Sequence, residues 1–480
     1  MNGIMYQGFE WYLPADASLW NKLKVEAKNL KESGITAIWL PPAYKGANGR
    51  EDVGYAVYDL YDLGEFDQKG SIPTKYGTIA EYLEAVKALK EQGIYVMADI
   101  VLNQRIGADE VEEVLVIPEN ENNRVQDIGG EKKIKAWTKF TFPGRKGKYS
   151  DYIWSCKDFD GADWDASCNQ KGIFRFAGTG WEADVDSQYG NYDYLMGDDV
   201  DTDVPGVIQE LNKWGKWYVE TTGIDGFRLD AVKHISANFY KNWLNAMRSV
   251  TKQELFSVGE YWSHDIHVLQ NYLAAVGHGM SLFDVPLHFK FYEASNGNGY
   301  FDMRTILDNT LVKADPVHAV TFVDNHDTQP GQALSSWVND WFKPLAYAIT
   351  LLRYDGYPCV FTGDYQGIPH DNKPEVRGLK TLMNIRNKYA YGIQHDYFDD
   401  PNIIGWTREG DPNYEHSGIA VIMTDSVGGK KYMYVGPQFA GKTFVDALGN
   451  INNTVYINAD GCGEFYVNGG SVSVYMEKLL

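Results

Sequence analysis

The chain has 480 residues, with 65 acidic and 44 basic side chains and a formal net charge of −21. This charge argues against nucleic acid as a partner, because binding a phosphate backbone requires clustered Lys and Arg side chains. The length allows about three domains and a large core. The longest apolar run, near Leu345 to Leu352, is far shorter than the roughly 18 residues of a membrane span, so we expect no membrane segment.

The amino terminus, MNGIMYQGFEWY, has no basic stretch followed by an apolar one, as a secretory signal would have. We therefore expect a cytoplasmic protein, or a secreted one if a leader has been removed. The four cysteines show no CxxC spacing, which favours neither a zinc site nor a redox pair. Buried free thiols are the simplest interpretation, although Cys156 and Cys168 are close enough in sequence to pair if oxidised.

A unit of helix, glycine and short β-branched strand recurs in the first half of the chain. It is seen in KNLKESGITAIWLPP, VKALKEQGIYVMADIVLN and WYVETTGIDGFRLDA. Gly34, Gly93 and Gly223 each stand where a helix ends in a left-handed residue, and Ile follows each of them. Thr78 and Glu81 have the spacing of a capping box at the start of the helix that precedes Gly93. These segments therefore predict βα units.

Eight segments have the composition of buried strands, with helical stretches between most of them. They are Ile4 to Phe9, the runs at Thr36, Tyr95 and Gly226, Leu255 to Trp262, Ser281 to Pro286, Ala319 to Asp324 and Tyr357 to Gly363. Eight alternating units predict an α/β fold built on a closed (β/α)8 barrel, since an open doubly wound sheet more often has about five to seven strands. No GxGxxG follows the first strand, which argues further against a dinucleotide-binding fold.

Two regions depart from this alternation. About a hundred residues rich in Gly, Asp, Trp and Lys lie between Asn103 and Pro205, so we expect an inserted β-rich domain after the third strand. After Tyr391, short alternating runs separated by Gly, Asn and Asp turns predict a carboxy-terminal antiparallel β-sandwich. These runs are Ile403 to Thr407, Ile419 to Thr424, Tyr432 to Val435, Thr454 to Ile457 and Val472 to Tyr475. The expected domains are 1–103 together with 206–391, then 104–205, and 392–480.

Polar residues end four of the predicted strands, where the catalytic groups of a (β/α)8 barrel lie. They are Asn103, Asp230, Glu260 and the run Asn325, His326 and Asp327. Acidic residues in such positions can also cap the helix that follows, and this is the alternative for each of them. Carboxylates on three different strands predict instead that Asp230, Glu260 and Asp327 meet in one catalytic site.

The segment GFRLDAVKH places Arg228 and Asp230 on the same face of a strand. An adjacent guanidinium favours the ionised carboxylate, so we expect a lowered pKa for Asp230, as suits a nucleophile; a purely structural pair is the alternative. Glu260 is flanked by Tyr261 and Trp262, and poor solvation beside aromatic rings predicts a raised pKa, as suits a general acid. Such a pair fits retaining glycoside hydrolysis, with an expected carboxyl separation of about 5 to 5.5 Å.

Four segments resemble the signature segments of the α-amylase family, the family 13 glycoside hydrolases, in the family's order. They are DIVLN from Asp99, GFRLDAVKH from Gly226, GEYW from Gly259 and FVDNHD from Phe322. The likeness covers nearly the whole chain, and it is strongest to the bacterial liquefying α-amylases and their intracellular relatives. The resemblance implies hydrolysis of α-1,4-glucans.

The resemblance also implies roles for individual residues. Asp230 would be the nucleophile, Glu260 the acid/base, and Asp327 the third carboxylate, which binds substrate hydroxyls and stabilises the distorted sugar. The implied substrate-binding residues are Arg228, which orients Asp230, His326 and Tyr55, which contact the reacting glucose, and Lys233, His234 and Trp262 on the product side. Gln104 departs from the pattern, because the family has His there; an amide can bind a sugar hydroxyl but carries no charge.

The run DDVDTDVP is rich in the hard oxygen ligands that suit calcium, although a solvated acidic loop is the alternative. It is not an EF-hand, because Val204 stands where that loop requires Gly. The resemblance implies one to three structural Ca²⁺ sites, with Na⁺ as a further ion between paired sites. The first maps to Asn103, Asp193, Asp199 and the backbone carbonyl of His234, the second to Asp163, Glu182, Asp201 and Asp203, and the third to Asp396 and Asp425. Glu182 stands where the liquefying enzymes have Asp.

We therefore expect a monomeric, endo-acting α-amylase that cleaves internal α-1,4-glucosidic bonds of starch, glycogen or maltodextrins with retention, and that needs calcium for its fold rather than its chemistry. A transglycosylase acting on the same α-glucans, in which a sugar instead of water receives the intermediate, is one alternative. A non-catalytic glucan-binding protein is another. Such a protein would be expected to lose a catalytic carboxylate, and all three are present.

Overall fold

The first hundred residues contain three strands of the barrel. The computed structural model describes residues 2–479. Up to Ile100 its elements are β1 (Met5–Gln7), α1 (Leu19–Glu32), β2 (Ala37–Leu40), β3 (Lys45–Gly46), β4 (Val57–Asp59), α2 (Ile79–Glu91) and β5 (Tyr95–Ile100). The predicted capping box of α2 is confirmed, because Thr78 and Glu81 each accept the other's backbone N–H through their side chains. Each glycine predicted to end a helix has positive φ, with 89° at Gly34, 69° at Gly93 and 67° at Gly223.

The segment after β5 forms an antiparallel sheet, as predicted for the insertion. Its strands are β6 (Gln104–Arg105), β7 (Glu110–Asn120), β8 (Asn123–Asp127), β9 (Lys132–Lys139), β10 (Phe159–Asp165), β11 (Gln170–Phe176) and β12 (Asp198–Val200). They follow the order β6-β12-β10-β11-β7-β8, and β9 pairs with β7. Gln104 lies opposite Asp199 in the β6–β12 pair, so the acidic run is joined to the chain just beyond β5. Cys156 and Cys168 are unpaired, as are the other cysteines of the described residues.

The chain then returns to complete the barrel. The elements are α3 (Pro205–Thr222), β13 (Gly226–Leu229), α4 (Ala237–Thr251), β14 (Phe256–Gly259), α5 (Ile266–Ala275), β15 (Ser281–Phe283), α6 (Val285–Asn296), α7 (Leu311–Ala314), β16 (Ala319–Phe322), α8 (Lys343–Leu352), β17 (Tyr357–Phe361), α9 (Thr362–Gln366) and α10 (Leu379–Lys388). Eight parallel strands close in the order β1-β17-β16-β15-β14-β13-β5-β2. This confirms the (β/α)8 barrel, and each strand lies within its predicted segment. Between residues 2 and 479, no helix combines the length and the apolar character that crossing a membrane requires.

The carboxy-terminal region is antiparallel and β-rich, as predicted. Its strands are β18 (Gln394–Tyr397), β19 (Ile403–Arg408), β20 (Ile419–Thr424), β21 (Gly429–Tyr434), β22 (Thr443–Asp446), β23 (Val455–Tyr456), β24 (Cys462–Val467) and β25 (Ser471–Glu477). One sheet has the order β18-β19-β20-β25-β22-β23, and β21 pairs with β24 in a second. Met433 and Phe465 of the small sheet share a buried core with Ile422 and Phe444 of the large one. The division into 1–103 with 206–391, 104–205 and 392–480 remains our proposal for the domains.

Candidate active site

A buried guanidinium lies at the centre of the candidate site. Nη1 of Arg228 donates to Oδ1 of Asp99 at 2.9 Å and to Oδ1 of Asp230 at 2.6 Å, and Nη2 donates to Oε2 of Glu260 at 2.6 Å. The Arg228 side chain is fully buried and its cation is permanent, so it needs anionic partners inside the barrel. One cation therefore brings together carboxylates from three strands.

Strand register explains how residues distant in sequence meet here. Arg228 of β13 lies opposite Asp99 of β5 on one side and Val258 of β14 on the other. Asp230 and Glu260 each follow directly after their strands, and the Glu260 N–H donates to the Leu229 carbonyl at 2.9 Å. The barrel's parallel pairing thus sets both acids at the carboxyl ends of neighbouring strands, as the sequence predicts.

Asp99 is a member of this site that was not predicted. Its Oδ2 also accepts from the Trp39 indole N–H at 3.0 Å and from the Tyr55 hydroxyl at 2.8 Å. The signal in the sequence is an acidic residue within the otherwise apolar strand YVMADI. A carboxylate buried there requires a partner, and the register supplies Arg228.

The two carboxylates predicted to be catalytic share one guanidinium and therefore lie close together. Asp230 and Glu260 are each a single 2.6 Å hydrogen bond from Arg228. Their bonded oxygens are therefore within about 8 Å of each other, short of the widest separations found in glycosidases, which are about 9.5 Å. This limit is compatible with the expected separation of about 5 to 5.5 Å.

The prediction that Asp230 has a lowered pKa is wrong. Burial raises the pKa of Asp230 to about 7, because the desolvation of its charge and the charges of Glu260 and Asp99 outweigh the attraction of Arg228. Burial, followed by the charge of Glu260, also raises the pKa of Asp327 well above its usual range. The buried carboxylates outnumber the single guanidinium, and their mutual repulsion adds to the effect of burial on the pKa of Asp230 and Asp327.

His326 is held as a neutral ring beside Asp327. The amide nitrogen of Gln7 donates to Nδ1 of His326 at 2.9 Å, which assigns the ring proton to Nε2. Burial lowers the pKa of His326 well below its usual value, and the charge of Arg228 adds to this. Nε2 lies 3.3 Å from Oδ2 of Asp327 and forms no hydrogen bond of good geometry within the described residues. Its N–H is therefore available to a ligand.

Tyr55 belongs to a set of nearly parallel rings at this site. Its ring is inclined by 10° to that of His326 and by 3° to that of Trp11, with centroids 5.2 and 6.1 Å away. Gln104 supports this arrangement, because its amide nitrogen donates to the Tyr55 carbonyl at 3.0 Å. The Gln104 side-chain oxygen is buried and has no partner within residues 2–479. Tyr55 and Trp11, which are partly exposed, present flat apolar surface, which suits the face of a sugar.

The predicted product-side residues lie at the junction of barrel and insertion. Nζ of Lys233 donates to the Trp262 carbonyl at 3.2 Å and to the Gln188 side chain at 3.1 Å, so Lys233 and Trp262 are brought together. Nδ1 of His234 is 2.7 Å from the Tyr192 carbonyl. Burial lowers the pKa of His234 to about 3, so this imidazole is neutral.

A second group of buried acids lies where the insertion meets the barrel. Carboxylate oxygens of Asp160, Asp193 and Asp199 lie within 4.8 Å of one another, and Asn103 donates to Asp199 at 3.2 Å. Oδ1 of Asp160 and Oδ2 of Asp199 are buried and lack hydrogen-bond partners among the residues that are described. Burial raises the pKa of Asp193 to about 7. The cluster therefore contains several negative charges and carboxylate oxygens without hydrogen-bond partners. Such oxygens are the ligands that a cation such as Ca²⁺ prefers.

Of the residues predicted for the second calcium site, Asp163 is not part of this cluster and Glu182 lies beside it. Asp160 was not predicted, yet its carboxylate lies with those of Asp193 and Asp199. Asp163 instead accepts the Gly197 N–H at 3.3 Å. The Glu182 N–H donates to Oδ2 of Asp193 at 2.7 Å. Burial and the charge of Asp193 raise the pKa of Glu182 to about 8.

The acidic run itself is arranged around Glu182. The Thr202 N–H donates to Glu182 at 3.0 Å, which places the run's backbone against this carboxylate. Asp201 is partly buried and Asp203 is exposed, and the Asp203 N–H donates to the Asp201 carboxylate at 2.9 Å. The run therefore folds back on itself beside the buried acids.

Asp396 and Asp425, the residues predicted for a third metal site, both have partners within the protein. Arg353 binds both carboxylate oxygens of Asp396, at 2.8 and 2.9 Å. Asp425 accepts from the Asn402 amide at 3.0 Å, and its other oxygen is buried without a partner in the described part of the chain. A bidentate ion pair with Arg353 already compensates the charge of Asp396, and the third metal site stays a prediction.

Comparison with known proteins finds similarity to α-amylases along nearly the whole chain. Residues 25–402 match the family model for the α-amylase catalytic domain, and residues 419–476 match that for the α-amylase C-terminal domain. The chain is 57% identical to an α-amylase of Geobacillus stearothermophilus, over 99% of this chain and 87% of the relative. It is 50% identical to an α-amylase of Bacillus licheniformis, over 100% of this chain and 94% of the relative. It is 44% identical to the cytoplasmic α-amylase of Escherichia coli K12, over 99% of this chain and 99% of the relative.

Solved structures agree on the fold. An α-amylase of Geobacillus thermoleovorans complexed with acarbose has a TM-score of 0.65 to this chain at 18% identity, covering 100% of this chain and 98% of the other. An Anoxybacillus α-amylase has the same score, identity and coverage. At this identity the likeness concerns the fold alone, and it matches the barrel with its added β-rich regions.

Proposed function

The chain belongs to the α-amylase family of glycoside hydrolases, and from this premise we propose that it is an endo-acting α-amylase. It cleaves internal α-1,4-glucosidic bonds of starch, glycogen or maltodextrins with retention of the anomeric configuration. The observation that carries this proposal is that Arg228 binds Asp230 and Glu260 at once. Two carboxyl groups brought together on one guanidinium can act on one glycosidic bond.

In the proposed mechanism, Asp230 attacks the anomeric carbon while Glu260 donates its proton to the leaving glycosidic oxygen. The bond to the leaving sugar breaks as a covalent bond to Asp230 forms. Glu260, now ionised, then takes a proton from water, which attacks the same carbon and releases Asp230. Arg228 donates to Asp230 and stabilises it in its ionised form, in which it can attack the anomeric carbon.

The other groups position the substrate. Asp327 and the available Nε2–H of His326 can bind hydroxyls of the reacting glucose, and the Tyr55 ring offers a face on which that sugar stacks. Gln104 acts through Tyr55, because its amide is committed to the Tyr55 backbone. Lys233, His234 and Trp262 contact the sugars that leave.

Calcium fits the buried acids at the junction of insertion and barrel. Asn103, Asp193, Asp199 and the backbone carbonyl of His234 would hold the first ion. Asp160 and Glu182 lie beside these residues, and Asp201 with Asp203 completes a second set, with Na⁺ as a candidate between them. A bound cation would neutralise repelling carboxylates and join β12 to the ends of β5 and β13. Its role is in stability, since the proposed chemistry uses only side chains of the protein.

The location of the protein is also a proposal. The E. coli relative, which is 44% identical, is named a cytoplasmic α-amylase. That name supports the expectation of a cytoplasmic enzyme acting on intracellular glucan. Fractionation of cells, with the activity measured in each fraction, tests it: activity in the medium would contradict a cytoplasmic location.

The test of the proposed function is digestion of amylose with the wild-type protein and with Asp230→Asn. We expect large early fragments, products first released in the α configuration by NMR, and loss of activity in the variant. Early β products or an active variant would reject the proposal. At high oligosaccharide concentration, longer products than the starting sugar would identify transglycosylation, while shorter products identify hydrolysis.

A further inference from the structure

Two histidines and an aspartate form a cluster at the end of the barrel opposite the candidate active site. His278 lies three residues before β15, and His318 lies directly before β16. Asp315 follows α7 in the loop that leads to His318. The proposed catalytic groups lie at the carboxyl ends of their strands, whereas these three lie where neighbouring strands begin. No role proposed above uses them.

The donor atoms of this cluster converge. One imidazole nitrogen of each histidine and one oxygen of Asp315 lie within 4.8 Å of one another. Nδ1 of His318 is already 2.8 Å from Oδ2 of Asp315, and the two imidazole rings are 4.9 Å apart between centroids. His278 is exposed and the other two side chains are partly buried, so the cluster is accessible from solvent.

The backbone brings His278 to this position by a tight turn at the end of α5. Gly277 and His278 both have positive φ, at 65° and 54°. The Gly277 N–H donates to the Ala274 carbonyl at 3.0 Å, and the His278 N–H donates to that of Leu273 at 2.8 Å. A positive φ is unfavourable for a histidine, so these bonds fix a conformation that the chain would otherwise avoid. The ring of His278 is thereby directed towards the next loop.

We propose that His278, Asp315 and His318 bind a divalent transition-metal ion of the Zn²⁺ type. Two imidazoles and a carboxylate are a donor set preferred by such ions, in contrast to the oxygen-only cluster near Asp199. Bonds of about 2.1 Å place the donors of a tetrahedral ion about 3 to 4 Å apart, so the partly exposed side chains need only small rotations. Water would complete the coordination.

A metal here links two connections of the barrel that are separate in sequence. The loop from α5 to β15 carries His278, and the loop from α7 to β16 carries the other two ligands. An ion that binds only the folded arrangement stabilises the native state by mass action. The inferred role is therefore structural, and it does not depend on the proposed glucan hydrolysis.

The test is titration of the full-length protein with ZnCl₂, in saturating CaCl₂ so that the oxygen-only cluster holds calcium. Isothermal titration calorimetry of the wild type, His278→Gln, His318→Gln and the double variant measures affinity and stoichiometry. We expect each single substitution to weaken one binding event by about tenfold or more, and the double variant to bind one equivalent fewer. His267→Gln, an exposed histidine on α5, is the matched control and should bind as the wild type does.

Two further readouts locate the ion and exclude misfolding. Anomalous scattering at the zinc edge from soaked crystals should give a peak between His278 and His318. The thermal unfolding temperature should rise with Zn²⁺ in the wild type and in His267→Gln, but not in the double variant, while all proteins have the same far-UV circular dichroism without zinc. Equal zinc affinity and stoichiometry in wild type and double variant, or a zinc peak only elsewhere, would overturn the inference.

Discussion

Asp99→Asn is the substitution that most sharply tests how the buried carboxylates share charge. Asp99 and Asp230 both accept from Nη1 of Arg228, at 2.9 and 2.6 Å, so these oxygens are at most about 5.5 Å apart. Two unit charges at this distance repel by about 3 kcal/mol at an effective dielectric constant of about 20, equivalent to about 2 pKa units. Asn removes the charge of Asp99, which opposes ionisation of Asp230. The apparent pKa of the site should therefore fall by about 1 to 2 units.

The assay is the pH dependence of kcat/KM on a maltooligosaccharide, whose acid limb reports the pKa of the free enzyme's essential base. We expect the midpoint of this limb to move to lower pH in Asp99→Asn. The plateau value should also fall, because Trp39 and Tyr55 both donate to Asp99 and an amide offers them one oxygen instead of two. Near-UV circular dichroism checks that the variant keeps its fold.

Trp39→Phe is the matched control, since it removes a hydrogen bond to Asp99 without removing a charge. We expect no shift of its acid limb to lower pH. A folded Asp99→Asn variant whose acid limb is unmoved, or moved to higher pH, would refute the reasoning. It would mean that the charge of Asp99 does not act on Asp230.

Three further predictions concern other parts of the molecule. Gln104→Ala removes a hydrogen bond to the Tyr55 backbone, worth about 1 kcal/mol. The KM for a maltooligosaccharide should therefore rise about fivefold, with kcat nearly unchanged. A loss confined to kcat would contradict the positioning role of Gln104. Asp160→Asn should reduce the rise in unfolding temperature that Ca²⁺ produces, whereas Asp163→Asn should not, and equal effects would count against Asp160 as a ligand. Gly34→Ala should cost about 1 to 3 kcal/mol of unfolding free energy in denaturant titrations, because φ is 89° and the new Cβ would lie 1.4 Å from Nδ2 of Asn387. Gly223→Ala, with φ of 67° and no described atom within 4 Å of its Cβ, should cost only about 1 kcal/mol, and an equal cost at both sites would contradict the steric explanation.

The fold could be predicted because its signals are local. Each barrel strand is an apolar run, and the glycines at residues 34, 93 and 223 mark helix ends by a conformation that other residues avoid. The carboxy-terminal strands β18, β22 and β24 were not predicted. Their sequences, QHDY, TFVD and CGEFYV, are short and mix polar with apolar residues, so pairing with neighbouring strands contributes more to them than their own composition.

A residue of the candidate site could be predicted only where its own sequence segment shows its place in the fold. Asp230 and Glu260 follow their own strands, whereas the contact of Asp99 with Arg228 depends on the register of β5 against β13. Asp160 approaches Asp193 and Asp199 through folding of the insertion, which no short motif encodes. The predicted direction of the pKa shift of Asp230 was wrong for the same reason. The adjacent Arg228 is visible in the sequence, whereas the burial of Asp230 and the carboxylates distant in sequence are not.

The central claim is that Asp230 forms a covalent bond to the sugar while Glu260 exchanges the proton. The most direct measurement is mass spectrometry of peptides after incubation with a fluorinated α-glucosyl fluoride, whose glycosyl-enzyme intermediate hydrolyses slowly. We predict one sugar attached to the peptide that contains Asp230, and no label in Asp230→Asn. A label on another carboxylate, or an Asp230→Asn protein labelled to the same extent, would contradict the mechanism.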